Sequence, residues 1–129
     1  MINYGFTKDL NMPYGTAIDR VKDALKKEGF GVLTEIDIQS KMKEKLGVDM
    51  NKYIILGACN PPNAYKAILT EENIGLMLPC NVIVYEKGSK TVLSVIRPTA
   101  AMQMVDNQEL QKVAVEVELQ LKKAFDTIQ

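Results

Sequence analysis

Tyr53-Ile54-Ile55-Leu56-Gly57-Ala58-Cys59-Asn60-Pro61-Pro62 and, further on, Leu78-Pro79-Cys80-Asn81-Val82-Ile83-Val84-Tyr85 carry both cysteines of the chain. Each cysteine is followed by asparagine and lies beside proline at the edge of an apolar run. Such runs read as strands, and proline stops a ladder because it has no N–H to donate. Cys59 therefore closes one strand and Cys80 opens the next. A helix fits between them. In a parallel pair the two cysteines would lie at opposite ends. In an antiparallel pair the end of one strand meets the start of the other and the thiols converge. The antiparallel arrangement is the one expected.

The strand at 53–59 is apolar on both faces, with Tyr53, Ile55, Gly57 and Cys59 on one and Ile54, Leu56 and Ala58 on the other. That pattern places it centrally in the sheet. Gly57 weakens a strand by roughly 0.5–1 kcal/mol against alanine, so it marks a bulge or a close approach by a ligand or another backbone. Pro61-Pro62 opens a helix that continues over 63–70, since proline fits a first helical turn. Ile74, Leu76, Met77 and Leu78 form a further short turn before Pro79. Beyond it, strands at 80–86 and 91–97 flank Lys87-Gly88-Ser89-Lys90, a hairpin turn with Gly88 at positive φ.

Upstream, residues 2–10 alternate as a first strand, with Ile2, Tyr4 and Phe6 on one side. Met12-Pro13-Tyr14-Gly15 is a turn. Thr16 and Asp19 have capping-box spacing, and Ile18, Val21, Ala24 and Leu25 recur at helical spacing. Lys26, Lys27 and Gly29 suit the end of that helix. Residues 30–38 form the second strand, with Phe30, Val32, Thr34, Ile36 and Ile38 sharing one face and Gly31, Leu33, Glu35 and Asp37 the other. A short helix over 38–46, capped by Asp37 or Ser40 and ended by Gly47, leads into a linker at 48–52. Pro98 ends the fifth strand, and a loop at 99–105 carries Met102 and Met104. Asp106 with Glu109 caps the last helix. Its buried stripe runs through Leu110, Ala114, Val117, Leu121 and Phe125. Val115 and Leu119 widen that stripe beyond what one surface helix needs, enough to pack a second chain.

Element order and length give one α+β domain over residues 1–129, a mostly antiparallel five-stranded sheet covered by helices. Apolar residues make up 47 % of the chain, which excludes disorder. Sixteen basic and sixteen acidic residues cancel, so nothing favours a phosphate backbone and no nucleic-acid partner is expected. With no tryptophan and three phenylalanines, there is no aromatic platform for stacking bases. No apolar run reaches membrane-spanning length, and no membrane partner is expected. The absence of an export signal leads us to expect a cytoplasmic location with reduced thiols. Histidine is absent, which removes the usual base near neutral pH and the commonest neutral metal ligand.

The residues that can carry chemistry are few. Cys59 and Cys80 are either small buried apolar groups, walls of a ligand pocket, a redox or nucleophilic pair, or metal ligands. A helix starting just after Cys59 would favour its thiolate, with Cys80 as the resolving thiol, and Lys45, Lys66 and Arg97 are charges able to tune them. They do not form a Cys-X-X-Cys motif. Glu35 and Asp37 share a strand face about 7 Å apart. They form either a solvated edge or a pair flanking a small ligand or hard cation. Two carboxylates are too few for a calcium cage, and no metal site is assigned. Asn60 and Asn81 are turn formers or amides at the rim of a groove. Backbone N–H groups at the helix start after Cys59 can hold an anion. The candidate ligand-binding set is therefore Glu35, Asp37, Gly57, Cys59, Asn60, Cys80 and Asn81, and no particular cofactor is indicated.

Glu35-Ile36-Asp37, the lysine-rich turn with Lys45, Tyr53, Gly57-Ala58-Cys59-Asn60-Pro61, Ala64 and Leu78-Pro79-Cys80-Asn81 with Tyr85 together resemble the bacterial and archaeal family called domain of unknown function 302. The resemblance covers nearly the whole chain. It implies an α/β fold like the TATA-binding-protein-like β-α-β(4)-α arrangement and a tendency to dimerise, and no activity. The reading that results is a homodimeric domain that binds a small ligand or a partner. The alternative is a thiol-dependent redox, sulfur-handling or metal-handling protein using Cys59 and Cys80.

Overall fold

The computed structural model describes residues 2–129. Five strands, β1 (Gly5–Leu10), β2 (Gly31–Asp37), β3 (Tyr53–Cys59), β4 (Cys80–Lys87) and β5 (Lys90–Ile96), form one sheet in the order β1-β5-β4-β3-β2. Every neighbouring pair is antiparallel. β3 and β4 are thus interior neighbours, as expected, and Ala58 lies opposite Cys80. The β4–β5 hairpin turns at Gly88, whose φ of 62° is the left-handed conformation a tight turn requires.

The helices are α1 (Tyr14–Lys27), α2 (Ile38–Leu46), α3 (Pro61–Thr70), α4 (Pro98–Ala101) and α5 (Gln108–Thr127), with a 3₁₀ segment over Glu72–Met77. α2 and the α3–3₁₀ segment interrupt the run of four strands that a β-α-β(4)-α description implies. α1 and α5 pack on each other and cover one face of the sheet. Leu56, Val82, Val84 and Leu93 from the strands meet Val21, Leu25 and Leu121 from the helices there, all fully buried. Each such side chain contributes roughly 1.5–3 kcal/mol through removal from water. A second cluster, Ala67, Ile74, Met102, Leu110 and Ala114, sits where α3 and α4 lean on the first half of α5.

Three local expectations are corrected. α1 begins at Tyr14 after Pro13, and no side chain caps it, so Thr16 lies inside the helix and Thr16–Asp19 form no box. Asn107 rather than Asp106 caps α5, accepting from the Leu110 N–H at 3.1 Å while its amide donates to the Thr70 carbonyl. That second bond ties the start of α5 to the end of α3, and Asp106 has no such tie. The third correction concerns β2. Its register skips Leu33, so Val32 pairs with Ala58 and Thr34 with Gly57. A bulge adds one residue and switches every later side chain to the other face. Phe30 and Val32 pack in the core, but Thr34 and Ile36 do not follow them. Glu35, opposite Leu56, and Asp37, opposite Ile54, stand instead on the helix-covered side at the sheet edge.

Candidate functional site

Where β3 ends and β4 begins, the sheet, α3 and α5 do not close on one another. They leave a cavity of about 330 Å³. Ala58, Cys59 and Cys80 form its sheet wall, and Ala64, Ala67 and Ile68 of α3 form one side. Val113, Ala114 and Val117 of α5, with Pro98 and Met102, form another. Phe30, Leu33, Asn60, Asn63, Gly75, Leu78 and Pro79 complete it. Among the described residues, no charged side chain lines this space. Its volume is at the lower end of what small-molecule sites have.

The cavity exists because small residues face one another. Ala64 and Ala67 on α3 look across at Ala114 on α5, and alanine leaves open the volume that leucine would fill. The proline pair also matters. Asn60 caps α3 by accepting the Asn63 N–H at 3.2 Å, and Pro61 and Pro62 occupy the first helical positions. Proline has no N–H, so of the donors at the first three helical positions two are missing and the third, on Asn63, is already bonded. This overturns the expectation that the start of α3 holds an anionic group.

Both thiols line the cavity. Cys59 is half-buried and Cys80 buried, and both are unbridged. Desolvation raises the Cys59 thiol above its ordinary value, because the thiolate loses water there. The Cys80 thiol is pushed up to about 11, first by burial and then by the charge an ionised Cys59 would place beside it. The expected preference of Cys59 for its thiolate is therefore reversed. α3 offers no free N–H at its first turn. Of the three expected tuning charges, Lys45 and Lys66 are exposed, and Arg97 is engaged with Glu118 at 3.4 Å and with the Asn3 carbonyl at 2.7 Å.

Of the candidate set, Cys59, Asn60 and Cys80 meet at the cavity. Gly57 is buried just outside it, where a Cβ would overlap Thr34 Oγ1 and lie 2.7 Å from Pro79 Cγ. The close approach that this glycine permits is thus by the Thr34 side chain and the Pro79 ring. Asn81, opposite Gly57 on β4, is exposed and does not line the cavity. Glu35 is exposed and ion-paired with Lys22 of α1 at 2.8 Å. Asp37 caps α2, accepting from the Ser40 N–H at 2.9 Å. Neither carboxylate reaches the cavity wall: they share its side of the sheet but lie further along β2, opposite Leu56 and Ile54 rather than Cys59, where Lys22 of α1 and the start of α2 engage them. No cluster of three or more metal-ligating side chains occurs among the described residues.

The sequence reading missed Asn63 and Gln120. Asn63 is 4 % exposed and lines the cavity. Its Nδ2 donates to Gln120 Oε1 of α5 at 3.3 Å, and Asn60 Nδ2 donates to the same oxygen at 3.4 Å. One sign was legible. Asn63 stands one turn before buried Ala67 on the packing side of α3, where an apolar residue belongs. Nothing in sequence pairs it with Gln120, which lies 57 positions further on.

Residues 6–128 match the family described as Domain of unknown function DUF302. No curated protein matches the chain. Among solved structures, the crystal structure of an uncharacterized conserved protein DUF302 from Bacillus stearothermophilus superposes with a TM-score of 0.92 at 29 % identity, over 99 % of this chain and 100 % of that one.

Proposed function

The chain belongs to the DUF302 family, and we propose that it is a homodimeric domain that binds a small, uncharged, largely apolar molecule between α3 and α5. The observation that carries this reading is the cavity of about 330 Å³ with no charged side chain on its wall. An apolar molecule entering it exchanges water for carbon contacts on most of its surface. A charged one would lose hydration with no counter-charge in return. The alternative, thiol chemistry at Cys59 and Cys80, draws support from their sharing one wall. Burial acts against it, since it raises both thiols and the thiolate is the reactive form.

Naphthalene, titrated into the ¹⁵N-labelled protein, tests the binding reading. Amide shifts are expected at the end of β3, along α3 and in the middle of α5. Ala64→Phe and Ala114→Phe fill the space and should abolish those shifts while the remaining spectrum stays folded. An unchanged spectrum at saturating naphthalene sinks the reading.

The dimer rests on exposed apolar groups. Leu33 is 67 % exposed on edge strand β2, and Leu119 is 62 % exposed on α5 beside Val115. A stable pair would have to bury roughly 1,000 Å² or more in total. Sedimentation at high protein concentration should give twice the chain mass, and a monomer throughout rules the dimer out. No helix among the described residues is long and apolar enough to cross a membrane.

A further inference from the structure

We infer that Asn63 is the specificity determinant of this cavity, and that the ligand it selects is an uncharged molecule with an apolar body and one O–H or N–H donor, bonded to Asn63 Oδ1. This rests on the cavity being a binding site and says which molecules it prefers.

The directions of three amides fix which atom of Asn63 is left free. An amide's oxygen and nitrogen are told apart by the bonds around them. Asn60 is fixed first, because its Oδ1 accepts the Asn63 backbone N–H as the cap of α3. Its Nδ2 therefore points away from the cap and donates to Gln120. Gln120 must then present Oε1, and Asn63, bonded to that same oxygen, must present Nδ2 to it. The helix cap thus dictates the orientation of all three side chains, and Asn63 is left with Oδ1 pointing elsewhere.

Among the described residues, no donor of the chain bonds that oxygen. Yet no fully inaccessible side-chain polar atom lacks a partner. Oδ1 therefore keeps some accessible surface, and with the residue 4 % exposed and on the cavity wall we place that surface on the cavity. A carbonyl oxygen held in an apolar space has a strong demand for a donor. The other amide on the wall, Asn60, already bonds Gln120 and the Asn63 N–H, and the remaining side chains are apolar apart from two thiols raised toward their neutral form, which are at best weak partners. A neutral hydroxyl or N–H on an apolar ring or chain meets this demand. A carboxylate presents only acceptors and does not. A donor-free hydrocarbon fits the space but leaves Oδ1 unbonded.

The probes are 2-naphthol, which carries one O–H donor, and naphthalene and 2-methoxynaphthalene, which carry none. Naphthalene and the ether are more hydrophobic than 2-naphthol, so transfer from water alone favours them. Expected for the unaltered protein at neutral pH is a preference for 2-naphthol of about tenfold over either, from one buried hydrogen bond and the acceptor it satisfies. The Asn63 side-chain amide resonances should shift with 2-naphthol and not with naphthalene. Asn63→Leu keeps the branched shape with somewhat more bulk, removes the acceptor and leaves the backbone N–H for the Asn60 cap. It should bind naphthalene at least as well as before and lose the preference for 2-naphthol. If that variant does not fold, the three-probe comparison on the unaltered protein still decides. Equal or weaker binding of 2-naphthol there overturns the role of Asn63 while leaving the cavity a binding site. A preference that persists in Asn63→Leu also overturns it and moves the acceptor to another group. No binding of any probe overturns the binding reading itself.

Discussion

Replacing Gly57 with alanine adds one methyl group to β3, and its consequence is set by two neighbours. The new Cβ overlaps Thr34 Oγ1 and lies 2.7 Å from Pro79 Cγ, far inside ordinary carbon contact. Thr34 is β-branched and has few χ1 alternatives. Pro79 is a ring closed on its own backbone. In an open strand the change would stabilise by about 0.5–1 kcal/mol, because alanine loses less backbone freedom than glycine. Forcing a methyl into a packed site costs about 1–3 kcal/mol. With two rigid neighbours the upper part of that range applies, so Gly57→Ala should destabilise by about 2 kcal/mol net. For a chain of this length that lowers Tm by about 6–10 °C. Thr34→Ala removes the hydroxyl and leaves Thr34 Cβ at 3.5 Å, an ordinary contact. The double variant should recover about half of the loss, a coupling on the order of 1 kcal/mol in a double-mutant cycle. Calorimetry or urea unfolding of the four proteins measures it. A Gly57→Ala protein as stable as the original, or a cycle with no coupling, refutes the claim that Thr34 and Pro79 make this position a glycine.

Two further outcomes are expected. The raised Cys80 thiol makes stability depend on alkaline pH: the unfolded thiol ionises first, near its ordinary value of 9.0, while the folded one stays protonated up to about 11. Between those values the unfolded state binds fewer protons, so this contribution is fully present below pH 9 and is lost as pH rises toward 11. The loss is on the order of 2–3 kcal/mol, and Cys80→Ala should flatten that part of the urea-midpoint profile; an identical slope in both proteins removes Cys80 as its source. Glu118 accepts from the Thr99 N–H at 3.0 Å and the Thr99 hydroxyl at 2.6 Å, besides pairing with Arg97. Glu118→Ala should therefore cost about 1.5–3 kcal/mol and speed hydrogen exchange over Pro98–Ala101, whereas unchanged exchange there would show that α4 does not depend on this carboxylate.

Local pattern was enough for much of the fold. Alternation and proline placed β3 and β4, Gly88 placed the hairpin, and the long apolar stripe placed α5, because each signal lies within a few residues of the structure it specifies. The meeting of Cys59 and Cys80 at one wall followed from antiparallel neighbours joined by a helix. The face of the sheet that Glu35 and Asp37 take did not, because one extra residue at Leu33 reverses the face of everything after it, and the sequence of β2 reads the same with or without the bulge. The cap at Asn107 likewise depends on the Thr70 carbonyl, and the Thr34 and Pro79 contacts at Gly57 come from two separate segments. The amide chain from Asn60 through Gln120 to Asn63 joins α3 to a helix far along the sequence. Apolar spacing determined which side of α1 and α5 turned inward. Only the packing of α3 on α5 decided that Asn63 would be buried on the wall of an open space with its oxygen unpartnered among the described residues, because that depends on the distance between two surfaces and no local pattern encodes it.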